Sequence, residues 1–196
     1  MMEHFAPHFD MLQDAILSIH DHVGVGPKCS CGVEPAPYKC EECFHPLMLC
    51  KTCIISTHTQ HPFHHIGEWT GTHFQRISLS SIGAVLHLGH RGEKCKNRLP
   101  VSGRNTVIVH TNGIHRVCVD YCRCYNVPDA NQLVRSQLFP ATMERPETAF
   151  TFAVLNDFHI HSLTSKKSAL DYVDALQKLT SAAFPRQTPV STGYTF

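Results

Sequence analysis

The residues able to do chemistry in this chain are cysteines and histidines, and they are grouped. Between Cys29 and Cys53 they form three close pairs, Cys29-x-Cys31, Cys40-x-x-Cys43 and Cys50-x-x-Cys53, and His58, His61, His64 and His65 follow at once. Two ligands separated by one or two residues can grip one tetrahedral Zn2+ from a tight turn, with sulfur or imidazole nitrogen as donors. Three cysteine pairs and a histidine pair supply ligands for two closed sites. In a cross-braced module alternate pairs share a metal. That wiring assigns Cys29, Cys31, Cys50 and Cys53 to one zinc, and Cys40, Cys43, His58 and His64 to the other. His61 and His65 compete for the last place.

Other uses of cysteine fit less well. A disulfide framework needs an oxidising compartment, and Met1 to Asp21 has neither the basic start nor the continuous apolar core of a secretory signal. The expected setting is therefore intracellular. A redox Cys-x-x-Cys normally accompanies a βαβ pattern, which the flanking sequence lacks.

A second group of ligands lies further on. His90 and Cys95 follow a short strand-like run at residues 84–88, and Cys122-Arg-Cys124 follows the β-rich run Ile114 to Tyr121. That run is joined to Thr106–Thr111 by Asn112-Gly113, the strongest short-range hairpin signal. A sequential antiparallel meander of the three strands ends the first and third on the same edge. His90, Cys95, Cys122 and Cys124 then meet there as a third zinc site. His115 opens the last strand, about 23 Å from Cys122 at ~3.3 Å per residue, too far to share that ion. Cys118, within the strand, reads as a packed thiol. Two zinc ions are expected, and three if the sheet-edge site forms.

The charge is distributed unevenly. The net charge of +1 divides into −5 over residues 1–70, +6 over 71–127 and zero over 128–196. Arg91, Lys94, Lys96, Arg98 and Arg104 cluster between the first two strands of the basic middle part. They are the candidate nucleic-acid-binding residues, since cationic loops grip phosphate. No apolar run reaches the ~20 residues of a membrane-spanning helix.

The elements that must position these groups follow from the pattern. Phe5, Phe9, Leu12, Ile16 and Ile19 recur at helical spacing, and residues 1–27 read as an amphipathic packing helix and a linker. Residues 28–70 form the double zinc module, with Trp69 just outside the last ligands. Residues 71–127 form a short antiparallel β-sheet with the third site. Residues 128–182 read as helical: one helix opens at Pro146-Glu147, with Pro in its first turn, and a second at Ser168-Ala-Leu-Asp171, a capping-box pattern. The tail, 183–196, has the Thr/Ser/Pro composition of disorder. The fold class is α+β: small zinc-stabilised modules followed by a C-terminal helical segment.

The double zinc module resembles the B-box zinc finger, including the aromatic before the second pair and the leucine before the third; it departs in its Cys-x-Cys first pair. A wider set of landmarks is Tyr38-Lys-Cys40-x-x-Cys43, Leu49-Cys50-x-x-Cys53, Ile66-Gly-Glu-Trp69, Leu88-Gly-His90 with Cys95, Thr111-Asn-Gly-Ile-His115, Tyr121-Cys-Arg-Cys124, Phe139-Pro-Ala-Thr142, Arg145-Pro146 and Thr148-Ala-Phe-Thr-Phe152. Together they resemble the CxC-type cysteine-cluster domain found beside fungal KDZ (Kyakuja-Dileera-Zisupton) transposases, from about Cys29 to Thr180. The resemblance implies that His58 and His64, and not His61, stand at the family's histidine positions. It also implies a place N-terminal to a catalytic domain of RNase-H-like fold, which this sequence stops short of. The expectation is a non-enzymatic, nuclear, zinc-binding accessory module that contacts DNA or the protein partners of a transposition complex. A B-box-like protein–protein interaction scaffold that binds no nucleic acid is the alternative.

Overall fold

The computed structural model describes residues 4–19, 28–97 and 103–181. Within them the chain builds two sheets flanked by helices. The first sheet is small and antiparallel, in the order β1 (Tyr38–Cys40), β2 (Ile66–Trp69), β3 (Phe74–Ile77). Helix α2 (Lys51–Thr57) lies between β1 and β2 in sequence and buries Ile54. Ile54 and Ile66 are fully buried in one cluster with Tyr38, Leu49, Leu79 and Ile82, among cysteines of all three pairs. Apolar burial of this extent is modest for a module of its size. Cross-linking its loops through a metal is the usual remedy where a core is small.

The second sheet has five strands: β4 (Leu86–His87), β6 (Gly113–Asp120), β5 (Arg104–His110), β8 (Thr148–Thr151) and β7 (Leu138–Pro140), in that spatial order. β5 and β6 form the expected hairpin, with Ile108 opposite His115 and His110 opposite Gly113. Its two-residue loop is Thr111-Asn112, so the turn is one residue earlier than an Asn-Gly type I′ turn. Gly113 opens the strand at φ +142°, where a Cβ would lie 2.8 Å from Thr180 Oγ1. That close approach is useful, because the Ile114 N–H donates to Thr180 Oγ1 at 2.7 Å and so holds the last helix against the hairpin.

The meander is not formed. β4 lies beside β6 in parallel, Leu86 opposite Val119 and His87 opposite Asp120, instead of beside β5. The first and third strands still end on one edge, because parallel neighbours run the same way. β8 adds in parallel to the other side of β5. The sheet is therefore mixed, not purely antiparallel.

The stretch expected to be one buried helix from Pro146 is a strand followed by a helix. Thr148–Thr151 is buried at every position and shows no alternation, as befits a strand covered on both faces. Helix α4 (Phe152–Ser165) begins only where Thr151 caps it by accepting the Val154 N–H. Helix α3 (Asp129–Arg135) and helix α5 (Ala169–Thr180) complete the region, and Ser168 Oγ accepts the Asp171 N–H as the capping pattern requires. Tyr172 and Leu176 of α5 pack on Val109, Ile114, Phe150 and Val154.

The N-terminal helix α1 (Phe9–Ile19) forms after a short 3-10 turn, Ala6–His8. It is not packing material for the rest of the chain: Phe5, Phe9, Met11, Leu12, Ile16 and Leu17 are all exposed. The linker at Gly24, Gly26 and Pro27 and the tail over 183–196 lie outside the described residues. Among the described residues no helix is long and apolar enough to cross a membrane.

Candidate metal centres

Among the described residues three Cys/His groups converge, each with its four potential ligand atoms within 4.8 Å of one another: Cys29, Cys31, Cys50 and Cys53; Cys40, Cys43, His58 and His64; and His90, Cys95, Cys122 and Cys124. All ten cysteines are free thiols. Zn–S bonds of about 2.3 Å and Zn–N bonds of about 2.0–2.1 Å give tetrahedral edges of about 3.8 Å between sulfurs and about 3.6 Å between sulfur and nitrogen. The separations observed fall close to those edges. Cys31 Sγ and Cys50 Sγ are 3.6 Å apart. Cys40 Sγ lies 3.4 Å from His64 Nδ1, and Cys43 Sγ lies 3.5 Å from both His58 Nε2 and His64 Nδ1. In the third group Cys95 Sγ is 3.5 Å from Cys124 Sγ and 3.8 Å from Cys122 Sγ, and His90 Nε2 is 3.4 Å from both of the latter sulfurs. The spacing suits a four-coordinate ion and is far too long for disulfides, whose sulfurs lie about 2.05 Å apart.

Local structure explains each convergence. Cys29 and Cys31 sit in a turn closed by the Gly32 N–H donating to the Cys29 carbonyl at 2.7 Å, with Gly32 at φ +84°. Cys50 caps α2 and Cys53 is in its first turn. Backbone N–H groups of Cys50 and Cys31 stabilise the Cys29 thiolate and bring its pKa down to about 6. In the second group Cys40 ends β1 and the Cys43 N–H donates to its sulfur at 3.3 Å. Burial nonetheless pushes the Cys40 thiol up to about 12, so a cation there would replace its proton.

His58 stands at the C-terminal end of α2 and donates Nδ1–H to the Ile54 carbonyl at 2.8 Å. A carbonyl only accepts, so this bond fixes the tautomer and leaves the Nε2 lone pair facing the cysteines. His61 stacks on the His64 ring, centroids 4.8 Å apart, and stays outside the group. His65 turns away to Glu42, which accepts from both its backbone N–H and its Nδ1.

The third group forms where β4 and β6 end together. Here Gly89 is required, since a Cβ would sit 2.5 Å from Cys122 Cβ. The Arg123 backbone N–H, with help from His90, brings the Cys95 thiol down to about 6. Gln132 of α3 braces the Cys122 segment: its Oε1 accepts the Cys122 N–H at 2.8 Å, and its Nε2 donates to the carbonyls of Cys122 and Val127 at 3.0 and 2.9 Å. Cys118 lies on β6 apart from all three groups, half-buried, and burial raises its pKa.

A family model described as "CxC2 like cysteine cluster associated with KDZ transposases" matches residues 79–183. The chain belongs to this family. The matched stretch holds the whole mixed sheet and the third group; the first two groups lie before it. No curated protein and no solved structure matches the chain.

Within this CxC2 family member, sequence reasoning missed the residues that join its two halves. Glu42, between Cys40 and Cys43, also accepts from Asn112 Nδ2 at 3.2 Å, and the same Nδ2 donates to the Phe63 carbonyl at 2.8 Å. Asn112 Oδ1 then accepts from His115 Nε2 at 2.8 Å. Burial works against the charged form of Glu42, but the hydrogen bonds and charge of His65 outweigh it and hold the carboxyl below its ordinary range. The hairpin turn is thus bonded to the loop between Cys40 and Cys43 of the second group. A strong turn signal had accounted for Asn112 fully, which hid its second role.

The candidate DNA-contacting residues are not equivalent. Arg91, Lys94 and Lys96 are exposed. Arg104 is not a loop cation: it opens β5, pairs with Asp129 at 3.2 Å and lies over the Tyr121 ring at 5.2 Å. Arg98 lies outside the described residues.

Proposed function

We propose that the protein is a zinc-binding accessory module of a transposase-like nuclear system that contacts DNA through the cations around the third metal group. The observation that carries this reading is positional. Arg91 follows His90, and Lys94 and Lys96 flank Cys95, so the exposed cations are next-door neighbours of residues whose ligand atoms meet within 4.8 Å. Zinc at that point would hold the exposed cations in one arrangement and reduce the ordering cost of binding phosphate. Zinc is the metal proposed for all three groups, because thiolate and imidazole donors in a tetrahedral set select it. Each group supplies four protein ligands and leaves no open coordination position, so the proposed role of the metal is structural and the module non-catalytic.

The test is binding of duplex DNA by zinc-loaded protein as a function of salt. Affinity should fall steeply with salt. Replacing Arg91, Lys94 and Lys96 together by alanine should reduce the log–log slope by roughly 2 to 3 with zinc content unchanged. No binding at low salt would refute the DNA reading. A second reading, a protein–protein interaction scaffold, is favoured by one observation, the exposed apolar side chains of α1.

A further inference from the structure

In both the second and the third metal groups, one cysteine is followed by the same local form. Cys43 is followed by Phe44 and then His45 at φ +50°; Cys124 is followed by Tyr125 and then Asn126 at φ +50°. In each case the residue before the left-handed one carries an aromatic ring that faces solvent. Phe44 is 96 % exposed and Tyr125 82 %. Leaving a large ring in water forgoes the gain of burying it, and each ring stands one residue beyond a member of a Cys/His group.

The two rings have opposite surroundings. Glu41 and Glu42 fill the loop between Cys40 and Cys43. Arg123 fills the loop between Cys122 and Cys124, and Arg91, Lys94 and Lys96 adjoin the other two members of that group. Glu93 is the one carboxylate in the stretch 89–97, and Asp129 pairs with Arg123 at 2.7 Å, so the balance around Tyr125 remains positive. Tyr125 is also the better braced, because Gln132 ties down both Cys122 and Val127 on either side of it. A preorganised ring costs little further entropy on binding.

An exposed aromatic ring next to one member of a Cys/His group, with exposed cations next to two other members, matches the chemistry of an unpaired nucleotide segment. Phosphates meet the cations and a base stacks on the ring, whatever its identity. In a duplex the base faces are covered by their neighbours, so the same ring meets only sugar and phosphate. We propose that the segment around the third metal group binds a single-stranded stretch of polynucleotide, with one base stacked on Tyr125 and the adjoining phosphates on Arg91, Lys94 and Lys96. This rests on the DNA-contact reading above and narrows it to unpaired strands. Phe44, with its acidic surroundings, is the internal control.

The experiment is a fluorescence-anisotropy titration of short oligo(dT) and of a blunt duplex with full-length, zinc-loaded protein. Tyr125→Ala should weaken oligo(dT) binding roughly 5- to 100-fold and change duplex binding by less than about twofold. Tyr125→Phe should bind like wild type, and Phe44→Ala should change neither. Zinc content equal to wild type shows that each variant is folded. A 2-aminopurine base in the oligonucleotide should be quenched by wild type and by Tyr125→Phe, but not by Tyr125→Ala. A parallel titration with oligo(rU) shows whether a DNA or an RNA strand is preferred, and the Tyr125→Ala loss should appear on whichever binds. Equal oligo(dT) and oligo(rU) affinities for wild type and Tyr125→Ala, with salt-dependent binding intact, overturn the stacking proposal and leave the phosphate contacts standing. If wild type binds no nucleic acid at low salt, the DNA-contact reading itself falls.

Discussion

Replacing Asn112 with alanine should weaken the link between the two sheets without touching a candidate metal ligand. The side chain makes three hydrogen bonds: Nδ2 to Glu42 Oε1 at 3.2 Å, Nδ2 to the Phe63 carbonyl at 2.8 Å, and Oδ1 from His115 Nε2 at 2.8 Å. A bond to a neutral acceptor contributes about 1 kcal/mol and one to a charged group about 1.5–3 kcal/mol, while a buried donor left without a partner costs about 1–3 kcal/mol. Asn112 and His115 are only partly buried, so water can replace part of what is lost. The net effect should be about 2–4 kcal/mol. In a protein of this size each kcal/mol moves the midpoint by about 2–4 °C, so Tm in excess zinc should drop by roughly 5–15 °C. Glu42 would lose one of the groups that hold it beside Cys40, so a chelator should strip the second site faster while the third, on the far edge of the mixed sheet, keeps its rate. The measurements are a thermal melt and a time course of zinc transfer to a chromogenic chelator. An unchanged Tm with unchanged release kinetics would show that the Asn112 bridge contributes nothing and that other contacts, such as Ser80 Oγ donating to the Arg116 carbonyl at 2.7 Å, hold the sheets.

His64→Ala should lower the zinc content by one ion per chain, measured by elemental analysis, whereas His61→Ala should leave it unchanged, since His61 only stacks on the His64 ring. Burial, with the neighbouring His65 and His110, holds the His115 pKa down to about 3. Its folded pKa is below the ordinary value of about 6.5, so the unfolded chain takes up a proton that the native protein refuses, and stability falls as pH drops from about 6.5 toward about 3. His115→Gln should remove roughly 1 kcal/mol of that loss at about pH 5.5, read as the difference between the two proteins' denaturant midpoints at neutral and mildly acid pH; parallel curves would contradict it.

The Cys/His groups that could hold a metal were legible because their information is local. Pairs such as Cys40-x-x-Cys43 declare themselves within a few residues, and alternate pairing follows from their order. The sheet was only half legible. The β5–β6 hairpin is a local pairing, but the parallel pairs β4–β6 and β5–β8 join segments far apart in sequence, and no periodicity announces them. Thr148–Thr151 misled for a related reason: a strand buried on both faces has no alternation, and the apolar run continues straight into α4. Glu42, Asn112 and Gln132 escaped because a polar residue's partner depends on tertiary placement. Arg104 was misplaced for the same reason, since only the fold brings Asp129 to it.

The parallel seam between β5 and β8 has a consequence for the chain as it is made. Thr106 to Val109 is an uncharged, β-branched run, and Ile108 and Val109 are buried in the finished sheet. Hairpin formation with β6 satisfies one edge of β5 within a few residues of synthesis. The other edge has no partner until Thr148 to Phe150 emerges. During that interval the nascent protein presents an open, apolar strand edge, the kind of template on which chains join one another. A transcript ending before Thr148 would make that interval permanent, so its product belongs with aggregates and proteolytic substrates however well its cysteines bind metal.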